Sequence, residues 1–329
     1  MDSMTKVTAA AIQLEAKAGD VAGNLELAET LCKRAIKQGA SLIALPEFFT
    51  TRIVLDDRVF DSVLPIENEA VDLLRHLASK HGCSIGGSML IADGDEVYNR
   101  YHFVEPDGSI HTHDKDLPTM WENAFYAPGN DDGHFQTSIG KVGAAVCWEL
   151  IRSQTVRRLA NNVDVMMTGS HWWTLPNNWG GLFNKATAST AQYNRYLCEN
   201  APVELSRRLG VPVLHANHCG SFETISSCIP GTTWGPKFKT KFVGHTQIVD
   251  AQGHVVARRG ADEGQGIVIA DIDLVRRPPS QTLENRFWIP ALPFTLKFSW
   301  VHDGAWSRSY YHREGRKLGL ESAAKRKAQ

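Results

Sequence analysis

The chain has 329 residues, with 35 Lys plus Arg against 36 Asp plus Glu and a formal net charge of -1. That balance excludes a polyanion-binding surface as the default reading, and so argues against a nucleic-acid partner. A composition of 43% hydrophobic and 22% charged residues excludes a disordered chain and lets a large core form without staples.

Six cysteines, Cys32, Cys83, Cys147, Cys198, Cys219 and Cys228, are scattered with no CxxC pair. In a chain this long they form no disulfide framework and point to free thiols in a reducing, cytoplasmic setting. Residues 1–20 lack the long apolar core of a secretory signal. No run approaches the ~18 apolar residues of a membrane span, so no membrane partner is expected.

Strand and helix patterns alternate along the first half. Lys6 to Leu14 reads as a buried strand. Ala22 to Gln38 carries Leu25, Ala28, Leu31, Cys32 and Ala35 at helical spacing, and Gly39 stops it. Ser41 to Leu45 is a strand that runs into Pro46-Glu47, and Asn68 to Lys80 is a second helix. Cys83 to Ile91 and Glu96 to Glu105 read as strands joined at Asp93-Gly94, with Asp107-Gly108 as a further turn.

A long loop is expected from His111 to Phe135. Lys141 to Val146 then reads as a strand, Ile151 to Asn161 as a helix and Asp164 to Thr168 as a strand. His171 to Asn200 reads as a less regular stretch. Short strands are expected at Val211 to Ala216, Phe242 to Val249, His254 to Ala257 and Gly266 to Ile272. No linker interrupts the series, which favours one large α/β domain.

Four residues stand out for their chemistry. Cys147 ends a strand and precedes a helix, where the helix dipole favours a thiolate and backbone N–H groups can hold an oxyanion. Most free cysteines are small buried hydrophobes, so position alone does not decide. Glu47 sits at the C-terminal end of a buried strand, the usual location of α/β active sites. Lys115 lies in a polar segment, and Glu122 is flanked by Trp121 and Phe125, an odd setting for a surface acid.

The order of the pieces carries more than any one of them. Leu45-Pro46-Glu47 is followed by Lys115, by Glu122 with Phe125-Tyr126-Ala127-Pro128-Gly129, and by Gly143-Ala144-Ala145-Val146-Cys147-Trp148-Glu149. From about Val7 to Ile272 the chain resembles the nitrilase superfamily of carbon–nitrogen hydrolases. The resemblance implies a four-layer α-β-β-α sandwich over residues 1–277, with 278–329 as a C-terminal extension. It implies Glu47 as general base, Lys115 as the catalytic lysine, Cys147 as nucleophile and Glu122 as a second carboxylate near the lysine. The substrate would be a small amide or nitrile, with no cofactor and no metal.

Two branches compete within the resemblance. Leu117-Pro118-Thr119 and Cys147-Trp148-Glu149 look like nitrilases, and Phe125 to Gly129 looks like amidases, which are favoured. An acyltransferase and a catalytically dead binding member are less favoured, because the four catalytic positions are filled and no membrane span is expected. Ala201-Pro202-Val203-Glu204-Leu205 keeps only part of a family segment. Trp121, Trp148, Trp172 and Trp173 are candidates for the walls of a confined, partly apolar pocket.

Other features read as ordinary structure. His215, His218 and Cys219 do not share one face of a strand end, as metal ligands must. Gly86-Gly87-Ser88 and Gly180-Gly181 are too short for phosphate loops. The C-terminal segment holds Trp288, Trp300, Trp306, Tyr310 and Tyr311, too much apolar area for a free tail. Pro290 and Pro293 favour an extended path that packs on a second subunit, giving a homo-oligomer of at least two chains.

Overall fold

The computed structural model describes residues 6–226 and 234–328. The chain first forms β1 (Lys6–Leu14), α1 (Val21–Lys37), β2 (Leu42–Ala44), α2 (Glu69–His81), β3 (Ser84–Asp93), β4 (Glu96–Val104) and β5 (Ile110–Asp114). Next come β6 (His134–Thr137), β7 (Gly140–Val146), α3 (Ser153–Leu159), β8 (Val165–Ser170), α4 (Gly181–Leu209) and β9 (Val213–His218). The remainder comprises β10 (Ser221–Ile225), β11 (Lys237–Lys241), β12 (Gly244–Val249), β13 (Val255–Gly260), β14 (Gly266–Asp273), α5 (Phe294–Tyr310) and α6 (Arg316–Lys327).

Two sheets arise from these strands. One runs β5-β4-β3-β2-β1-β14 and the other β6-β7-β8-β9-β12-β13, while β10 and β11 pair separately. The sheets meet where Gln13 and Leu14 of β1 pair with Asn217 and His218 of β9. The central strands run parallel, and each strand alternates its side chains between two cores. Ala9 and Ala11 of β1 face Val142, Ala144 and Val146 of β7 and Val165 and Met167 of β8 in a core between the sheets. The small alanines let these two faces come close.

Helices cover both outer faces. Ala10, Ile12 and Leu14 of β1 pack with Leu25, Leu31 and Ala35 of α1 and Leu74 and Leu77 of α2. On the other side Val156 and Leu159 of α3 and Leu197, Ala201 and Leu205 of α4 join Ala145 and Met166. The result is the expected four-layer α-β-β-α sandwich. Local signals account for the helix ends. Asp20 accepts from Gly23 N at the start of α1, Asn68 accepts from Ala70 N and Val71 N at the start of α2, and Gly82 closes α2 at φ 63°.

Three expectations need correction. The stretch from His171 to Asn200 is irregular only as far as Gly180, because α4 begins at Gly181 and runs to Leu209, through Pro202. Its first buried residue is Asn194, so its early turns carry no apolar stripe that a periodicity can reveal. The segment from His111 to Phe135 is not wholly loop: Asp107-Gly108 turns β4 into β5, and residues Met120–Ala124 form a 3-10 turn.

The tail is the third correction. It is helical rather than extended, since Pro293 stands just before α5, where a proline costs no hydrogen bond. Its tryptophans pack on their own chain. Trp300 stacks on Trp148 at 5.6 Å, and Trp288 meets Trp148 edge-on at 5.5 Å. Tyr311 donates its hydroxyl proton to Glu96 at 2.6 Å and accepts from Val97 N at 2.9 Å.

Candidate active site

Glu47, Lys115, Glu122 and Cys147 come together at the C-terminal ends of the central strands. Glu47 follows β2 across Leu45 and Pro46, and its carboxylate is fully buried. Gly169, at the end of β8, lets this backbone approach closely, because a Cβ there would lie 2.5 Å from Glu47 N. Lys115 follows β5, with its N–H anchored on Asn99 O at 3.0 Å. Cys147 follows β7 and opens a 3-10 turn, Cys147–Ile151, ahead of α3.

Backbone strain is concentrated around these residues. Cys147 itself has φ 54°, Phe48 after Glu47 has φ 52°, and Met120 in the turn that carries Glu122 has φ 51°. Non-glycine residues in this region carry a cost that is kept where the surrounding structure enforces it.

Lys115 Nζ donates to Glu47 Oε1 at 2.8 Å and to Glu122 Oε2 at 2.7 Å. Glu47 is further held by Asn99 Nδ2 on Oε1 at 2.8 Å and by the His171 N–H on Oε2 at 2.9 Å. Tyr126 donates its hydroxyl to Glu122 Oε2 at 2.5 Å. One oxygen each of Glu47 and Glu122 and the Cys147 Sγ lie within 4.8 Å of one another. That donor set could hold a metal ion by distance, yet the Lys115 ammonium already bridges both carboxylates and supplies the positive charge.

Burial and charge set the proton affinities. Burial raises Glu47 to about 7, against the pull of Lys115. Burial also raises the Cys147 thiol well above its usual value, and the nearby Glu47 charge adds to that while Lys115 opposes it. Burial thus opposes the dipole effect expected to favour a thiolate and pushes Cys147 toward the thiol form. Lys115 loses affinity by burial but is held well above the ordinary lysine range by Glu122 and Glu47.

A cavity of about 450 Å³ opens beside these groups. Trp121, Trp148, Trp172 and Trp173 all line it, together with Cys147 and Glu122. Trp121 packs on Trp173 at 5.5 Å, and Trp148 on Trp172 at 5.8 Å. Leu296, Phe298 and Trp306 of α5 complete the wall.

Comparison with known proteins adds the family. A model of the carbon-nitrogen hydrolases matches residues 8–277. The chain belongs to the carbon-nitrogen hydrolase family. This hydrolase is 26% identical over 292 residues to an omega-amidase of Danio rerio, covering 82% of the chain and 90% of the relative. It is 25% identical over 276 residues to a 2-oxoglutaramate amidase of Bacillus subtilis, covering 82% and 92%. A nitrilase of Pyrococcus abyssi is 35% identical over 142 residues, 42% of the chain and 54% of the relative. Among solved structures, a CN-hydrolase superfamily protein of Xanthomonas campestris aligns with TM-score 0.63 and 18% identity over 82% of this chain and 91% of that one, a likeness of fold.

Several residues of the hydrolase's site escape a linear reading. Asn99 and His171 reach Glu47 from β4 and from just beyond β8. His218 donates Nε2–H to the Glu47 carbonyl at 2.6 Å, and His215 pairs with Thr168 at 2.8 Å, so these histidines serve separate partners. Glu149 is fully buried; it accepts from Val146 N at 2.8 Å and from the His113 ring at 3.2 Å. His113 in turn bonds Asp131 at 2.6 Å. Burial would lower His113, but Glu149 and Asp131 outweigh it and push it up to about 10. Arg152 donates Nε–H to Trp148 O at 3.0 Å and pairs with Asp116 at 2.7 Å. These buried ion pairs hold the turn that presents Cys147. Of the six cysteines, five are free, and Cys228 lies outside the described residues. Among the described residues no helix is long and apolar enough to cross a membrane.

Proposed function

We propose that this hydrolase is a thiol amidase that releases ammonia or an amine and a carboxylic acid through a thioester on Cys147. One arrangement supports this reading: Cys147 Sγ lies within 4.8 Å of the Glu47 and Glu122 carboxylates, and Lys115 bridges the two acids.

Sγ attacks the amide carbonyl carbon while Glu47 takes the thiol proton. An ammonium has three donors. Lys115 spends two on the carboxylates, which leaves a third for the oxyanion, with the Trp148 N–H in the first turn after Cys147 as its companion. Each such donor is typically worth ~3–4 kcal/mol. Glu47 then passes its proton to the departing nitrogen, the C–N bond breaks and the thioester remains. Water gives a proton to Glu47 and attacks the thioester, the C–S bond breaks, and the thiolate regains its proton. Glu122 acts by fixing Lys115.

The amidase-named relatives that align over 82% of the chain support an amide substrate. The nitrilase likeness over 142 residues supports a nitrile as the second reading. Ammonia release separates them: a primary amide should outpace its matching nitrile, and the reverse order would favour the nitrilase. Cys147→Ala should lower ammonia release by ~10³-fold or more; activity within ~10-fold of the parent would remove Cys147 from the mechanism.

We further propose residues 1–277 as the catalytic domain and 278–329 as an extension that closes the cavity and meets a second copy. Phe294, Phe298 and Val301 lie one and two turns apart on α5 and are 79%, 55% and 68% exposed, an apolar face suited to a closed dimer. Five free thiols support a cytoplasmic location.

A further inference from the structure

Resting on the amidase reading, we infer that the substrate carries a neutral, ring-bearing apolar acyl group, and that the cavity rejects acyl groups ending in a carboxylate. Among the described residues that line the cavity there is no lysine and no arginine. Its lining acids are Glu122 and Asp303. Glu122 is occupied by Lys115 and Tyr126, and Asp303 accepts from Ser299 and pairs with His302 at 2.9 Å. Lys115 is held at the scissile bond by Glu47 and Glu122, so a second carboxylate farther out on the substrate would be desolvated with acids and no guanidinium or further ammonium to meet it, which is costly.

The apolar side of the case is a continuous aromatic wall. Trp121 contacts Trp173 at 5.5 Å, Trp173 meets Phe238 at 5.4 Å, Phe238 meets Trp179 at 5.8 Å, and Trp179 meets Phe183 at 5.0 Å. Polar tips along the wall are turned to the protein. Trp179 Nε1 donates to Lys237 O at 2.6 Å, and Trp172 Nε1 donates to Asn194 Oδ1 at 2.9 Å. Asn194 Nδ2 is spent on Trp173 O at 2.9 Å, and Thr224 Oγ1 accepts from Leu55 N at 2.7 Å. What faces the cavity is mainly apolar, ring surface opposed by Leu296, Phe298 and Trp306 of α5, with Thr119, His171 and Ser299 among the few polar groups beside it. About 450 Å³ is ample for a phenyl ring on a short chain.

The ring belongs on the acyl side of the bond. After acylation the amine must leave before water can reach the thioester. A bulky apolar amine would be retained by these same walls, whereas ammonia escapes freely and the bound ring keeps the thioester in place for deacylation.

Two measurements test this: kcat/KM of the parent enzyme on 3-phenylpropanamide, glutaramate and acetanilide, and binding of the first two to the Cys147→Ala variant by calorimetry. The expected result is 3-phenylpropanamide preferred over glutaramate by ~100-fold or more in both, and over acetanilide in turnover. Phe238→Arg should narrow the gap to glutaramate. Glutaramate turned over or bound as well as 3-phenylpropanamide would overturn the proposal and leave the amidase standing, and faster turnover of acetanilide would overturn the acyl-side assignment. If no amide is turned over, the amidase reading fails by itself, and binding to Cys147→Ala still decides the cavity's preference.

Discussion

Lys115 Nζ sits 2.8 Å from Glu47 Oε1, and both side chains are fully buried. A buried ion pair of this kind is poor evidence for stability, since desolvating both charges costs about as much as their attraction returns. Its value lies in what it does to Glu47. Without Lys115 the carboxylate would protonate in this dry site; with it, Glu47 ionises near neutrality and can act as a base.

The pH dependence follows from that. Glu47 must be ionised to take the thiol proton, and burial has raised it to about 7. So kcat/KM should be low in acid and rise tenfold per pH unit toward a plateau above about 7. A pH–rate profile checks this; an ascending limb in the ordinary carboxylate range would show that Glu47 is not the base.

Removing the cation should be worse than removing an acid. Lys115→Met leaves two buried carboxylates without a counter-charge, held only by the neutral donors Asn99, the His171 N–H and Tyr126. Activity should collapse, and stability should fall by ~3–5 kcal/mol, read as a lower denaturant midpoint. Glu122→Gln keeps the Lys115–Glu47 contact and should cost less in both respects.

A separate pair gives a stability test. His113 is pushed up to about 10 between Asp131 and Glu149, against an unfolded value near 6.5. The folded state therefore binds the extra proton between those two values. The stability contributed by His113 is whole below about pH 6.5 and is lost as pH rises through about 10. Thermal unfolding of the parent should weaken by a few kcal/mol across that window, and His113→Gln should be less stable at neutral pH with a flatter profile. Equal slopes for the two proteins would place the titration elsewhere.

In the proposed dimer the α5 helix would link the cavity to the second copy. Val301→Glu places a charge on its exposed face without touching the cavity, so it should turn the proposed dimer into monomers in sedimentation velocity. Truncation before Trp288 should do more, because it strips Leu296, Phe298 and Trp306 from the cavity wall and uncovers Trp148. A truncated protein of unchanged sedimentation and unchanged activity would contradict both roles.

Which parts of this were legible in the sequence follows from how far each signal reaches along the chain. Glu47 and Cys147 each end a short apolar run whose burial is local, so their strands and positions could be read. Glu122 was visible as an acid among aromatics. Asn99, His171 and Glu149 were not, because their partners lie across the sheet or are set by a turn: Asn99 is 52 positions from Glu47 and His171 is 124. The early turns of α4 carry no buried stripe, so nothing periodic marked them. Pro290 and Pro293 read as an extended path in sequence, though Pro293 stands at the one helical end that accepts it.

The central claim is a covalent acyl group on Cys147. Intact-protein and peptide mass spectrometry of the enzyme quenched during turnover of 3-phenylpropanamide measures it directly. The account predicts one added acyl mass, located on Cys147, more abundant in Glu47→Gln if deacylation slows more than acylation, and absent in Cys147→Ala. Turnover with no adduct on any cysteine, or an adduct on a cysteine other than Cys147, would contradict it.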